Sequence, residues 1–189
     1  NVTARTGEPH VKVMAEEREQ TVVLMVDMSG SGHFGSVSRF KNELAAELCA
    51  VLAFSAIKNN DKVGLIIFTD EIELYVPPQK GSKHVLRVIR EVLYFNPRGR
   101  DTDIPKALGY LNGVIHRRAV VFLVSDFMAK DYEKDLRVAG RRHDLIAVTI
   151  TDPRELTLPA VGRIAVRDAE TGHESLINTN DSRLRAAYE

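Results

Sequence analysis

The strongest indication of the fold is the stretch TVVLMVDMSGSGHFGS at residues 21–36. It opens with a continuous apolar, β-branched run, which is typical of a strand buried on both faces of a sheet. The run ends at Asp27, and serines and glycines follow at once. Carboxylate and hydroxyl groups directly after a buried strand indicate a ligand site at that end of the sheet.

Three further segments resemble this strand, namely KVGLIIFT, AVVFLVSD and DLIAVTI. Apolar residues recur with helical period between them, in residues 38–59, 85–93 and 104–115, and residues 131–142 also look helical. The helix at 38–59 carries large apolar residues on one side and small ones on the other, so we expect it to be buried widely. Buried strands alternating with helices predict one doubly wound α/β domain, with a mostly parallel sheet and helices on both faces.

Two segments depart from that alternation. EIELYV follows the second strand after too few residues for a crossover helix, so we expect a short antiparallel strand there. Near the other end, GRIAVRD and ESLIN are interpreted as a strand pair, and NDSRLRAAYE starts like a helix.

Composition excludes several classes of protein. Lys and Arg total 26, as do Asp and Glu, so the formal net charge is zero. A nucleic-acid or anionic-membrane binder needs a positive excess, so neither partner is expected. A single cysteine allows no internal disulfide, which favours a reducing, cytoplasmic location. No apolar run reaches the roughly 20 residues that span a bilayer. The 189 residues suit one domain, residues 1–189, and a start at Asn1 suggests a fragment of a longer protein.

The loop after Asp27 admits four interpretations, three of which meet a chemical obstacle. Gly30, Gly32 and Gly35 satisfy the dinucleotide pattern G-x-G-x-x-G, but Asp27 would bring a carboxylate close to the pyrophosphate. Aspartyl phosphoryl transfer needs a second acid two residues after the nucleophile, where Ser29 stands. A serine hydrolase would need the motif G-x-S-x-G, and neither Ser29 nor Ser31 lies in such a motif.

The fourth interpretation is a divalent-cation site. Asp27, Ser29 and Ser31 form D-x-S-x-S, and a small hard cation prefers about six oxygen ligands. Other loops must complete the set: Asp126 ends another strand, and Thr102 opens the helix before that strand. The alternative is ordinary turn and cap chemistry, with Thr102 or Asp103 as an N-cap and Asp126 capping the next helix.

These motifs resemble the von Willebrand factor A (vWA) domain. VDMSGS, a later loop threonine and VSD match its metal-ion-dependent adhesion site, so the resemblance assigns Asp27, Ser29, Ser31, Thr102 and Asp126 as ligands of Mg²⁺, or of Mn²⁺ or Ca²⁺. It also implies six strands in the order 3-2-1-4-5-6 with one antiparallel strand. Stretches such as RRAVVFLVSDF and DPRELTLPAVGRIAVRDAETG are similar to the bacterial group called domain of unknown function 58.

The resemblance implies a function as well as a fold. Members of this group often occur beside MoxR-type AAA+ ATPases, which suggests assembly or maturation work with such an ATPase. The sequence departs from the common pattern in two ways: Gly32 and His33 stand where a methionine is common, and Asp101 stands where glycine is common. The added charge of Asp101 is expected to alter affinity or ligand choice.

Three hypotheses follow for the function. The first is a binding module, not an enzyme and without catalytic residues, whose metal captures an Asp or Glu of a protein partner. The second is a Mg²⁺-dependent hydrolase of phosphate esters, for which the motif supplies no obvious general base other than His33. The third is a scaffold domain with a vestigial site.

Overall fold

A computed structural model describes residues 19–29, 41–99, 101–151, 159–167 and 174–188. Strands and helices alternate over most of this length, as the apolar pattern predicts. None of the described helices combines the length and the hydropathy needed to cross a bilayer. The elements are β1 (Thr21–Asp27), α1 (Lys41–Lys58), β2 (Lys62–Phe68), β3 (Ile72–Gln79), α2 (Ser82–Tyr94), α3 (Ile104–Val114), β4 (Val120–Ser125), α4 (Glu133–Arg142), β5 (Asp144–Thr149), β6 (Arg163–Arg167), β7 (Glu174–Asn178) and α5 (Ser182–Tyr188).

The main sheet has five strands in the order β3-β2-β1-β4-β5. All neighbouring strands are parallel except β3, which pairs antiparallel with β2. This confirms the predicted antiparallel strand and the first five places of the expected order. Within the described residues the sheet has no sixth strand, because β6 pairs antiparallel with β7 in a separate two-stranded sheet. The predicted terminal strand pair and the helix after it are both present.

The strand order sets where a ligand can bind. The chain moves outward from β1 to β2 and β3 and then returns to place β4 on the other side of β1. The carboxyl ends of β1 and β4 therefore flank the point at which the order reverses, which is where ligands bind in open α/β sheets. Asp27 ends β1, and Asp126 directly follows β4.

Strands β1 and β2 are buried on both faces, as their continuous apolar runs predict. Strand β5 is not: its residues are exposed or half-buried, with Ile146 43% exposed, so the prediction that DLIAVTI is buried on both faces is wrong. Along β1 the side chains alternate: Leu24 and Val26 belong to the core beneath α1 and α2, and Val23 and Met25 belong to the core beneath α3 and α4. Strands covered on both sides cannot shift in register without exposing apolar surface. The position of Asp27 at the sheet edge is therefore well fixed.

Helix α1 corrects one expectation. The side that faces the core is formed by small residues, namely Ala45, Ala46, Cys49, Ala53 and Ala56. The large residues Leu44, Val51 and Phe54 are 49%, 66% and 49% exposed, so the prediction of wide burial is wrong. Small side chains let the helix backbone approach the sheet closely, and Leu48 and Leu52 are only half-buried against the same core.

Candidate functional site

Asp27 lies at the centre of a polar network at the carboxyl edge of the sheet. Its carboxylate is only 9% exposed. The backbone N–H of Ser29 donates to Oδ1 at 3.0 Å, and the hydroxyl of Ser125 donates to Oδ2 at 2.7 Å. The Thr102 hydroxyl lies 3.4 Å from Oδ1 and 3.3 Å from Oδ2. Residues from three separate segments thus meet at one carboxylate.

Ser125 is a member of this network that the sequence interpretation missed. Its hydroxyl donates to Asp27 and accepts the backbone N–H of Phe127 at 3.0 Å, so it ties the end of β4 to the end of β1. A signal was available, because parallel pairing of Val26 with Val124 brings the next residue of each strand side by side. Ser125 also stands within the VSD motif, next to the predicted ligand Asp126.

Asp126 occupies the loop that follows β4. Its Oδ1 accepts the backbone N–H of Met128 at 3.1 Å, and its charge is close enough to raise the pKa of Asp27. The suggestion that Asp126 caps the next helix is wrong, since the N-cap position of α4 is Tyr132. Its carboxylate instead stabilises the turn at Met128 and remains beside Asp27.

Thr102 directly precedes the N-terminus of α3. The N-cap of that helix is Asp103, whose Oδ1 accepts the backbone N–H of Lys106 at 2.8 Å, which confirms one of the two capping predictions. The hydroxyl of Thr102 is therefore not used for capping and turns to Asp27. The carboxylate of Asp103 thus caps the helix, and the hydroxyl of Thr102 is left to contact Asp27.

Four of the five predicted ligands lie in described segments and come together. Ser29 is buried at 1% exposure, and its side chain hydrogen-bonds Asp27, as does the hydroxyl of Thr102. The fifth, Ser31, lies outside the described residues, as do His33 and the glycines Gly30, Gly32 and Gly35. The described part of the predicted set is thus compact, with Asp27 at its centre.

Asp27 is a buried acid that has no counter-ion among the described residues. Burial raises its pKa, hydrogen bonds from Ser125 and Ser29 oppose the rise, and the nearby charge of Asp126 adds to it. No described lysine or arginine forms an ion pair with Asp27. A buried carboxylate of this kind favours either a proton or a cation.

The donor set fits a small hard cation. The structure's described segments contain no group of three or more His, Cys, Asp or Glu side chains suited to a metal. Here the oxygens come instead from Asp27, Asp126 and the hydroxyls of Ser29 and Thr102, the ligand type that Mg²⁺ prefers. Mg²⁺ usually retains several waters, so an incomplete protein set leaves room for a ligand from outside.

Two curated relatives match most of this chain. It is 33% identical over 174 residues to the uncharacterized protein Rv1480 of Mycobacterium tuberculosis (strain H37Rv), and equally to the uncharacterized protein Mb1516 of Mycobacterium bovis. The match covers 90% of this chain and 55% of each relative. The chain therefore spans about half the length of the curated relatives it matches.

Solved structures share its fold at low sequence identity. An aerotolerance-related membrane protein from Bacteroides fragilis, carrying multiple mutations to serine, superposes with a TM-score of 0.65 and 17% identity over 86% of this chain and 83% of that one. The conserved hypothetical protein BatB from Bacteroides thetaiotaomicron gives 0.63 and 17% over 86% and 82%. Such likeness shows the fold alone.

The family is shown by the sequence over its whole length. The family described as "Protein of unknown function DUF58" matches residues 1–189. The five-stranded order and the antiparallel β3 are those of a vWA-like fold. This chain belongs to the DUF58 family and has a vWA-like α/β fold.

Proposed function

We propose that this domain is a metal-dependent protein-binding module. Asp27, Ser29, Thr102 and Asp126, together with Ser31, would hold Mg²⁺ or a similar divalent cation. When bound, that ion would supply an electrophilic position that an Asp or Glu of a partner protein can fill. The domain itself contributes binding and orientation, and we assign no catalytic residue.

The observation that carries this proposal is the surroundings of Asp27. The carboxylate is buried, its pKa is raised by that burial, and the groups that contact it are neutral donors from separate segments. Neutral neighbours stabilise the charge only in part, so a cation at this point would be favoured. Because Ser29, Ser31 and Thr102 would be neutral ligands, much of the ion's charge would stay available to a carboxylate from outside.

A MoxR-type AAA+ ATPase is the proposed partner. This choice rests on the resemblance to the bacterial group in which such ATPases are often neighbours. The zero formal net charge of the chain provides no general attraction for nucleic acid or anionic lipid, which leaves protein as the favoured class of partner. We propose that the pair works in assembly or maturation of other proteins.

Calorimetry with a purified MoxR-type ATPase from the same organism tests the proposal. We expect binding in MgCl₂, and its loss in EDTA or in Asp27→Ala. A domain with a vestigial site would bind with equal affinity in MgCl₂ and in EDTA, and that result would refute the metal-dependent mechanism. Asp144→Ala is the matched control, since it removes one exposed carboxylate at the start of β5, the end of the sheet opposite Asp27.

A further inference from the structure

The loop between α2 and α3 brings Thr102 to Asp27, and it is anchored by a carboxylate outside the predicted metal set. We propose that Glu73 on β3 is the positioning residue for Thr102, an inference that rests on the proposed metal-binding function. Glu73 does not contact the network around Asp27 directly. It acts through the backbone of the loop, which it holds against β3.

One oxygen atom of Glu73 makes the contacts. Its Oε1 accepts the backbone N–H of Gly99 at 2.7 Å, the backbone N–H of Arg98 at 2.9 Å and the hydroxyl of Thr69 at 3.2 Å. Hydrogen bonds to an ionised acceptor are stronger than neutral ones. Partial burial acts against the charge, but the donors at Gly99, Arg98 and Thr69 outweigh it, and the pKa of Glu73 lies below its ordinary value.

The loop fits closely against the turn between β2 and β3. A side chain at Gly99 would have its Cβ 2.9 Å from the Cβ of Thr69 and would collide with the side-chain oxygens of Thr69 and Asp70. Only glycine leaves the backbone free to approach this far. Thr69 is itself 1% exposed, so the surface that receives the loop cannot easily move.

A second anchor lies immediately after Thr102. The backbone N–H of Asp103 donates to the carbonyl oxygen of Thr69 at 3.0 Å, and the Lys106 ammonium donates to the carbonyl oxygen of Asp70 at 2.9 Å. Thr102 is therefore held between the Glu73 contacts on one side and the contact from Asp103 on the other. Both sets of contacts involve Thr69, in the turn between β2 and β3.

The contacts of Thr102 itself are too long to place it. Its hydroxyl lies 3.3 and 3.4 Å from the two Asp27 oxygens, whereas O–H···O bonds usually measure about 2.7–2.8 Å. The Ser125 hydroxyl reaches the same carboxylate at 2.7 Å. The position of Thr102 is thus set by the anchored backbone, in which Glu73 makes the shortest bond.

Amide hydrogen exchange in EDTA tests the positioning without any metal. Glu73→Ala should accelerate exchange at least tenfold at Arg98 and Gly99, and also at Asp103, whose amide does not bond Glu73. Glu73→Gln keeps an acceptor oxygen and should restore most of the protection. Glu133→Ala is the control, because it removes an exposed carboxylate from α4 and leaves both anchors of the loop intact.

Mn²⁺ affinity, measured by electron paramagnetic resonance, then tests the link to the site. Loss of a residue that orients a metal ligand typically weakens binding about 10- to 100-fold. We expect about tenfold for Glu73→Ala and no further loss when Glu73→Ala is added to Thr102→Ala.

The outcomes separate the two proposals. Unchanged exchange at Asp103 in Glu73→Ala overturns the positioning role, and so does an additive loss of affinity in the double variant. Absence of Mn²⁺ binding by the wild-type domain overturns the proposed function instead, while exchange at Asp103 still decides whether Glu73 positions the loop.

Discussion

The two edges of the main sheet both bury an ionisable group, and they do so in opposite ways. At the carboxyl edge, Asp27 accepts hydrogen bonds from Ser29 and Ser125 that favour its charged form. At the amino edge, His143 is 1% exposed, and neither ring nitrogen has a hydrogen-bond partner among the described residues. Hydrogen bonds offset part of the cost of burying the charge of Asp27, whereas no described group does so for His143.

The pKa shifts show what this difference means. Burial first, and then the charges of Arg142 and Arg118, lower the pKa of His143, opposed only by Asp144, so the imidazole is neutral at neutral pH. A neutral buried base needs no ligand, whereas a buried acid with donors around it provides a place for a cation. Burial alone therefore does not identify a site, and the arrangement of donors does.

The largest predicted effects come from two isoleucines near opposite ends of α3. Ile104 follows Thr102 by two residues and is fully buried, while Ile115 directly follows the helix at 6% exposure. Each change to alanine should lower the free energy of unfolding by about 2–5 kcal/mol, measured by urea denaturation. Only Ile104→Ala should also weaken Mn²⁺ binding, because only that change loosens the backbone beside Thr102.

Equal losses of Mn²⁺ affinity in the two isoleucine variants would show that packing at the amino edge supports the metal site as much as packing at the carboxyl edge. Equal affinities, both at the wild-type value, would show that packing beneath α3 does not support the site.

Two glycine-to-alanine changes, at Gly99 and at Gly109, should have smaller effects on stability, and of opposite sign. Gly99→Ala forces a Cβ against Thr69 and should destabilise the domain by about 1–3 kcal/mol, with a loss of Mn²⁺ affinity. Gly109→Ala meets no atom within 4 Å and lies in α3, so it should stabilise the domain by about 0.5–1 kcal/mol with unchanged affinity. Thermal unfolding with a Mn²⁺ titration measures both. A neutral result for Gly99→Ala would refute close packing of the loop.

Acid should lower the free energy of unfolding of the domain through His143, which is buried at the amino edge of the sheet. Because its folded pKa lies below the ordinary 6.5, the unfolded chain binds the proton more strongly. Stability is then fully present above about pH 6.5 and is lost as the pH falls below it, by up to about 1.4 kcal/mol per pH unit. The unfolding free energy of His143→Leu should fall less between pH 7 and 5. Parallel pH profiles for the two proteins would contradict the shift.

The sequence predicts the positions of the strands well, and a continuous apolar run such as residues 22–26 does bury both faces. It does not predict that β5, an equally apolar run, is mostly exposed. It predicts helix burial poorly for α1, where small residues face the core and Phe54 faces solvent. Local hydrophobicity indicates which residues favour burial. It does not indicate how closely a helix approaches a sheet, which depends on the size of the residues between them.

The candidate site, like the secondary structure, could be predicted from the sequence only in part. Asp27, Ser29, Thr102 and Asp126 are identified by motif, and the structure places them at one edge. Ser125 and Glu73 act through contacts across 98 and 26 residues respectively, to Asp27 and to Gly99. Such contacts depend on strand register and loop path. Ser125 stands inside the VSD motif but is not a position that the motif assigns as a ligand, and Glu73 belongs to no motif.

The most direct test is thermal unfolding of three proteins, each with MgCl₂ and with EDTA. We expect Mg²⁺ to raise the Tm of the wild type, by an amount that corresponds to about 2.7 kcal/mol when free Mg²⁺ is a hundredfold above Kd. Asp103→Asn, a control that removes one charge and retains an N-cap residue, should respond equally. Asp27→Asn should not respond, and in EDTA it should be at least as stable as the wild type, because its buried charge is gone. A wild-type Tm that Mg²⁺ leaves unchanged, or an equal rise in Asp27→Asn, would contradict a cation site at Asp27.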